Sequence, residues 1–158
     1  MATIAIADIE SNNLLLDATT IHCIAIKLIK DDNAEQTRVF TSRPVYGSDG
    51  DLTQAMEILK TVDKVVFHNG IKFDIPCINK LLGINLWDFT SVDDTLLMSQ
   101  LAYPNLLIID SNNSKLPPKL KGSHSLKAWG YRLGELKGVF GDGGLEVWDT
   151  LTSDMVEY

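Results

Sequence analysis

Two carboxylates near the N-terminus, Asp8 and Glu10, have a spacing that could support chemistry. They end the stretch Thr3-Ile4-Ala5-Ile6-Ala7-Asp8-Ile9-Glu10. Side chains alternate faces along a strand, so the two acids point to one side and Ile9 points to the other. Two acids at the end of a buried strand repel each other unless a positive charge lies between them, and hard divalent cations prefer carboxylate oxygens. The pattern predicts a strand over Thr3–Ile9, buried on both faces, that ends in a metal-binding pair.

A third carboxylate, Asp74, opens a predicted helix after the stretch Phe67-His68-Asn69-Gly70-Ile71-Lys72-Phe73. A short strand over Lys64–His68 runs into Asn69-Gly70, which turns the chain. If this strand lies beside the first one, Asp74 reaches the sheet edge that carries the other two acids. The alternative, which the motif alone favours, is that Asp74 only caps its helix and that Asn69-Gly70 is a plain turn.

The elements that must position these acids follow from hydrophobic periodicity and from turn residues. The first strand and two others, over Thr20–Leu28 and Gln36–Thr41, are predicted to form an antiparallel meander. The strand over Lys64–His68 follows a helix and is expected to pair parallel with the first strand. Helices are predicted over Leu52–Thr61, Phe73–Leu82, Asp94–Ala102, Leu126–Leu133 and from Ser153 onward. We expect a further strand over Leu86–Thr90 and a long surface loop over Pro104–Gly122. The predicted class is α/β, a mixed sheet flanked by helices with the acidic strand at its centre.

Composition and charge limit the class of protein. The chain has 158 residues, 45% of them hydrophobic, which suits one globular domain with a sizeable core. No apolar run approaches ~18 residues, so we expect no membrane contact. The net charge is −7, yet residues 115 to 138 carry six bases and one acid. This basic segment could contact phosphates, although a solvated loop is an equal alternative on charge alone. The candidate phosphate contacts are Lys115, Lys119, Lys121, Lys127 and Arg132.

Residues beside the acids are candidates for substrate contact, and we assign this role to Ile9, Asn12, Leu14, Asn69 and Phe73. For Asn12 and Leu14, ordinary loop packing is an equal alternative. For Phe73, packing in the core is favoured over stacking on a base. Asp94 is expected to cap a helix near the site, and Trp129 is expected to pack in the core or an interface.

Three short stretches together resemble the motifs of the DEDD 3′–5′ exonucleases. Asp8-Ile9-Glu10 resembles the first motif, and Asn69 through Phe73-Asp74 resembles the second. Asp154–Tyr158 resembles the approach to the third, in which a Tyr is followed four residues later by an Asp. More closely, the chain resembles the N-terminal proofreading domain of the family A DNA polymerases of T-seven-like bacteriophages. The closer match lies in Val66–Gly70, Asp94–Leu96 and Gly122–Gly138, and the resemblance covers nearly the whole chain.

This resemblance implies a ribonuclease H-like fold and a two-metal 3′–5′ exonuclease that releases mononucleotides from single-stranded or frayed DNA 3′ ends. It implies that Asp8, Glu10 and Asp74 are catalytic and hold two Mg²⁺ or Mn²⁺ ions, and that catalytic Tyr158 orients the attacking water. It also implies a polymerase domain in the same or an associated chain, and a setting in the cytoplasm of a phage-infected bacterium.

The family's fourth carboxylate is expected four residues after Tyr158, where the sequence given ends. We therefore expect residues 1–158 to form a single exonuclease-like domain that is truncated or incomplete at its C-terminus, with reduced or absent activity as one outcome. One alternative is a catalytically impaired module that binds single-stranded nucleic acid, metal or a partner protein. A second alternative is a nuclease-like domain that only braces a polymerase.

Overall fold

The computed structural model describes residues 2–31, 33–136 and 150–157. Its strands are β1 (Thr3–Ser11), β2 (Ile21–Lys30), β3 (Asn33–Ala34), β4 (Arg38–Thr41), β5 (Gly50–Asp51), β6 (Lys64–Phe67) and β7 (Ser91–Asp94). Its helices are α1 (Leu52–Thr61), α2 (Asp74–Leu82), α3 (Thr95–Ala102), α4 (Leu106–Asp110), α5 (Leu126–Leu133) and α6 (Ser153–Glu157). None of these described helices is long and apolar enough to cross a membrane.

The strands form one mixed sheet in the order β5-β4-β2-β1-β6-β7, and β3 pairs with β2. β2 is antiparallel to both β1 and β4, whereas β6 is parallel to both β1 and β7. The predicted antiparallel meander with added parallel strands, and the central place of the acidic strand, are confirmed. Because β1, β6 and β7 run parallel, their carboxyl ends meet at one edge of the sheet, where sites tend to lie.

One face of the sheet is buried and the other is partly open, so the prediction that β1 is buried on both faces is wrong. Ala5, Ala7 and Ile9 pack into the main core with residues of α1 and α2. Ile6, on the face that carries Asp8 and Glu10, is 44% exposed. The reason is that α1 and α2 cover one side of β1, which leaves the side with the acids accessible.

Most helices begin and end close to the residues that the sequence predicts, because capping residues lie at these positions. Asp51 and Gln54 form a capping box at the start of α1, since each side chain accepts a hydrogen bond from the other residue's backbone N–H. α2 ends at Gly83, which has φ 68°. α5 is capped by Ser125 and ends at Gly134. These ends follow from side-chain acceptors at helix starts and from glycine in the left-handed region at helix ends.

Two predicted segments differ from the structure. Leu86–Asp88 forms a 3₁₀ turn rather than the start of a strand, and the strand lies at Ser91–Asp94. Leu86 is buried while Trp87 and Phe89 are exposed, so the apolar residues here anchor a turn instead of alternating across a sheet. The predicted loop over Pro104–Gly122 contains α4 and a 3₁₀ turn at Pro118–Leu120, because buried Leu106 and Leu116 give this segment its own packing.

Candidate active site

Asp74 lies against the strand segment that carries the first two acids. The residue is only 3% exposed and stands at the start of α2. Oδ1 accepts a hydrogen bond from the backbone N of Ile9 at 3.2 Å. That N–H belongs to the residue between Asp8 and Glu10, and both acids share the open face of β1. The parallel pairing of β1 with β6 thus brings the second motif beside the first.

The burial of Asp74 and the charges of the neighbouring acids raise its pKa. Burial raises the pKa from its ordinary 3.8 to about 7, and the negative charges of Asp8 and, more weakly, Glu10 act in the same direction. The hydrogen bond from the N–H of Ile9 opposes the rise because it favours the charged carboxylate. A cation bound among these acids would favour the ionised form, so the donor chemistry suits a divalent metal.

The arrangement of these carboxylates is not a ready-made ligand cluster. Among the described residues, no group of three or more His, Cys, Asp or Glu side chains stands together so that it could hold a metal ion. The assignment of Asp8, Glu10 and Asp74 as metal ligands therefore stays a prediction. The charges of Asp8 and Glu10 raise the pKa of Asp74. Asp74 also binds the backbone N of Ile9, the residue between those two acids.

Asp94 fixes the turn that leads into Asp74. Oδ1 accepts hydrogen bonds at 2.9 Å from the backbone N of Asn69 and of Leu96, and Oδ2 accepts one at 3.1 Å from Ile71. Asn69 has φ 67°, a left-handed conformation that Asn tolerates better than most residues. Asp94 caps α3 as predicted, and it also locks the turn between β6 and α2. Sequence reasoning missed this second role.

Lys80 fixes the loop that follows β1. Its Nζ donates hydrogen bonds to the carbonyl oxygens of Leu15, Leu16 and Ala18 at 2.8–2.9 Å. The side chain of Asn12 binds the same loop, since Oδ1 accepts from the backbone N of Thr19 and of Thr20. The loop is thereby held in one shape beside the acids. Nothing in the sequence signals the role of Lys80, because its partners lie more than sixty residues earlier.

The predicted substrate contacts have different outcomes. The side chain of Ile9 is buried in the core and its N–H binds Asp74, and its substrate contact stays a prediction. Phe73 packs against the core, which was the favoured alternative. The side chain of Asn12 is engaged within its own loop. Leu14, which is exposed, and Asn69 stay predictions.

Arg132 differs from the other described bases of the segment because it is buried and ion-paired. Its guanidinium binds Asp110 through Nε–Oδ1 at 3.0 Å and Nη2–Oδ2 at 2.7 Å, and its side chain is only 9% exposed. The hydrogen bond from Arg132 lowers the pKa of the Asp110 carboxyl. A buried, bidentate guanidinium acts as a structural tie, and the phosphate contact of Arg132 stays a prediction.

The other bases of this segment lie nearer the surface. Lys115, Lys119 and Lys127 are exposed, and they stay predicted phosphate contacts. The Nζ of Lys121 donates a hydrogen bond to the carbonyl oxygen of Ser111 at 2.8 Å, which ties this lysine to the end of α4. Its phosphate contact also stays a prediction.

Tyr158 and its predicted role lie outside the described residues. The helix before it, α6, packs on the open face of the sheet, where Met155 and the preceding Leu151 form a buried cluster with Cys23. Cys23 pairs in register with Glu10 across β1 and β2. α6 therefore lies on the same face of the sheet as the two acids of β1.

Comparisons with known proteins identify relatives in sequence. The chain is 39% identical over 146 residues to the DNA-directed DNA polymerase of Enterobacteria phage T3, and 38% identical over 145 residues to that of Escherichia phage T7. Each match covers 87% of this chain and 20% of the polymerase. The chain thus spans about one fifth of the length of the curated relatives it matches. No protein-family model matches the chain.

Solved structures show the same fold at low sequence identity. One structure of exonuclease I has a TM-score of 0.62 and 13% identity, and the match covers 98% of this chain and 40% of that one. Escherichia coli exonuclease I in complex with a dT13 oligonucleotide also has a TM-score of 0.62, at 14% identity, with coverage of 94% and 40%. The predicted ribonuclease H-like fold is therefore confirmed.

Proposed function

Because the chain is related to part of the T-seven-like phage DNA polymerases and shares the fold of exonuclease I, we propose that it is a 3′–5′ exodeoxyribonuclease. Its substrate in this proposal is a single-stranded or frayed DNA 3′ end, and its products are mononucleotides. The observation that carries the proposal is the contact between the carboxylate of Asp74 and the backbone N of Ile9, between two further acids.

The residues proposed to hold two Mg²⁺ or Mn²⁺ ions are Asp8, Glu10 and Asp74. Such ions, if bound, would lower the pKa of a water molecule and would stabilise the negative charge that develops when a phosphodiester is hydrolysed. The chain's own part is to hold the carboxylates in place, through the Ile9 N–H for Asp74 and through the turn anchored by Asp94. Tyr158 is proposed to orient the attacking water.

The proposed biological setting follows from the relatives. Their likeness supports a polymerase domain, in the same or an associated chain, as the partner, and proofreading during replication as the role. It also supports the cytoplasm of a phage-infected bacterium as the place of action. The exonuclease I structure solved with dT13 supports single-stranded DNA as the substrate. Unpairing of a terminal base is cheaper at a mismatch, which favours removal of misincorporated nucleotides.

The test is hydrolysis of a 5′-labelled single strand in Mg²⁺ or Mn²⁺, followed as a product ladder. Asp8→Asn keeps the shape of the side chain and removes its charge, so we expect the ladder to disappear. Asp88→Asn is the matched control, because Asp88 is exposed in the 3₁₀ turn at Leu86–Asp88. Equal ladders from the wild type and the Asp8→Asn variant would contradict the proposed chemistry.

A second candidate function is a binding module that holds a single strand without turnover. The observation that favours it is that no three described metal-ligating side chains stand together. Binding of the labelled strand with no ladder, in either metal, would select this module over the enzyme.

A further inference from the structure

The loop between β4 and β5, residues 42–49, is tied to β4 at both of its ends. At the first end, Oγ1 of the buried Thr41 donates a hydrogen bond to the carbonyl oxygen of Arg43 at 2.8 Å. At the second end, the backbone N of Asp49 donates to the carbonyl oxygen of Val39 at 2.7 Å. Oδ2 of Asp49 accepts a hydrogen bond from the backbone N of Val39, also at 2.7 Å. The sheet therefore holds this loop in one shape.

The segment that leads into α6 and α6 itself lie against this loop at three positions. Nη2 of Arg43 donates a hydrogen bond at 2.8 Å to the carbonyl oxygen of Leu151, two residues before α6 begins. Val45 packs on the same buried cluster that contains Leu151. A Cβ at Gly47 would lie 3.4 Å from Cγ1 of Val156, so the loop backbone approaches α6 closely. The loop thus supports α6 through a polar contact and through packing.

The place where α6 packs is next to the acidic edge of the sheet. Cys23, a member of the cluster under α6, is the register partner of Glu10 across β1 and β2. Directly opposed residues of an antiparallel pair project to one face, with Cβ atoms about 4.5–5.5 Å apart. α6 is therefore within one strand spacing of Glu10. In the sequence, Tyr158 follows α6 directly.

We propose that Arg43 is a positioning residue for hydrolysis, because it sets the place of α6 and, through α6, that of Tyr158 relative to Glu10. This proposal rests on the proposed function, in which Tyr158 orients the attacking water. Arg43 belongs to neither acidic motif and is itself exposed on its loop. Hydrolysis is sensitive to such placement, since a misplacement of about 1 Å can lower a rate about 100-fold.

The contact made by Arg43 is local, so its loss should loosen α6 without unfolding the sheet. Leu151 is buried, and a carbonyl group in a buried segment needs a hydrogen-bond donor. Without the guanidinium, the segment before α6 must move to find water as a donor. Short terminal segments open locally at a lower free energy than the core does. The global stability of the chain should therefore change little.

The test separates kcat from KM for hydrolysis of a 5′-labelled dT12 in Mn²⁺. Arg43→Met keeps much of the aliphatic stem and removes the donors, so kcat should fall by about 10- to 100-fold while KM stays unchanged. Arg43→Lys keeps a cationic N–H donor and should recover most of the rate. Lys30→Met is the matched control, because it removes a cation whose side chain is 53% exposed at the end of β2. Its kcat should equal that of the wild type.

A double-mutant cycle shows whether Arg43 acts through Tyr158. Tyr158→Phe removes the hydroxyl and should lower kcat by itself. Arg43→Met should then have little further effect, because the group that it positions is already gone. Hydrogen exchange gives a readout without catalysis: Arg43→Met should speed exchange at the amides of α6, while exchange in β1 stays as in the wild type.

An unchanged kcat in Arg43→Met would overturn the proposal, and so would equal losses of kcat with and without the Tyr158 hydroxyl. A raised KM with unchanged kcat would also overturn it, since Arg43 would then be a substrate contact. Failure of the proposed function is distinguishable, because it shows as the absence of a ladder from the wild type. In that case hydrogen exchange still decides whether Arg43 places α6, and unchanged exchange in α6 would overturn that placement.

Discussion

The carboxylate of Asp74 is bound to the backbone N of Ile9, with 3.2 Å between the two atoms, although the residues lie 65 positions apart. This contact holds a buried acid against the strand that carries two others. The same contact couples chemistry to stability, because a proton or a cation taken up by Asp74 changes the free energy of the folded chain. The ionisation of Asp74 can therefore be followed through the free energy of unfolding.

We predict that stability in EDTA falls as the pH rises from about 4 to about 7, and that Asp74→Asn removes this part of the fall. The folded state holds the Asp74 proton up to a pKa of about 7, whereas the unfolded chain releases it near 3.8. The unfolded state thus binds fewer protons across that window, so stability decreases with pH and levels off above it. At pH 8 the variant should be more stable than the wild type by roughly 2–4 kcal/mol.

Urea unfolding followed by circular dichroism at several pH values measures this difference. Asp88→Asn again serves as the control, and its curve should run parallel to that of the wild type. At pH 7.5, added Mn²⁺ should stabilise the wild type more than Asp74→Asn, because a cation favours the charged carboxylate. Parallel curves for the wild type and Asp74→Asn would show that Asp74 titrates as an ordinary acid.

Asp94→Ala should destabilise the chain by roughly 2–4 kcal/mol, because it removes a helix cap and leaves three backbone N–H groups without their acceptor. Two of those groups belong to the turn at Asn69 and Ile71, so this turn should also exchange its amide hydrogens faster. Urea unfolding gives the free energy, and hydrogen exchange locates the loosened segment.

The neighbouring acid provides the matched control for Asp94. Asp93 lies at the surface and pairs with Lys64 at 2.7 Å, with both side chains more than a third exposed. Asp93→Ala should cost less than about 1 kcal/mol, as exposed ion pairs do. Similar losses of stability in the two variants would mean that the three hydrogen bonds accepted by the Asp94 carboxylate contribute little to stability.

The sequence predicts those features of the site that depend on local pattern. The acids of β1 share a face because side chains alternate, Asp94 caps α3, and helices end at glycines with positive φ. The parallel crossover to β6 then follows from strand and helix spacing. These features need no knowledge of which distant residues meet.

What the sequence does not predict depends on contacts between distant segments. The three carbonyl oxygens bound by Lys80 and the partner of Arg132 become visible only when the chain is folded. The amino-acid sequence alone does not distinguish an exposed basic residue from a buried one. The basic pattern of residues 115 to 138 therefore suggested phosphate contacts throughout, although Asp110 engages Arg132.

Arg132→Met should destabilise the chain by roughly 3–5 kcal/mol, because it leaves the buried carboxylate of Asp110 without its partner. Lys127→Met is the control, since Lys127 is exposed. It should leave stability within about 0.5 kcal/mol, while the slope of dT12 affinity against salt falls in magnitude by about 1. Urea unfolding and salt-dependent binding measure the two effects. If Arg132→Met instead kept full stability and reduced the salt slope, Arg132 would be a phosphate contact after all, and its bond to Asp110 would be dispensable.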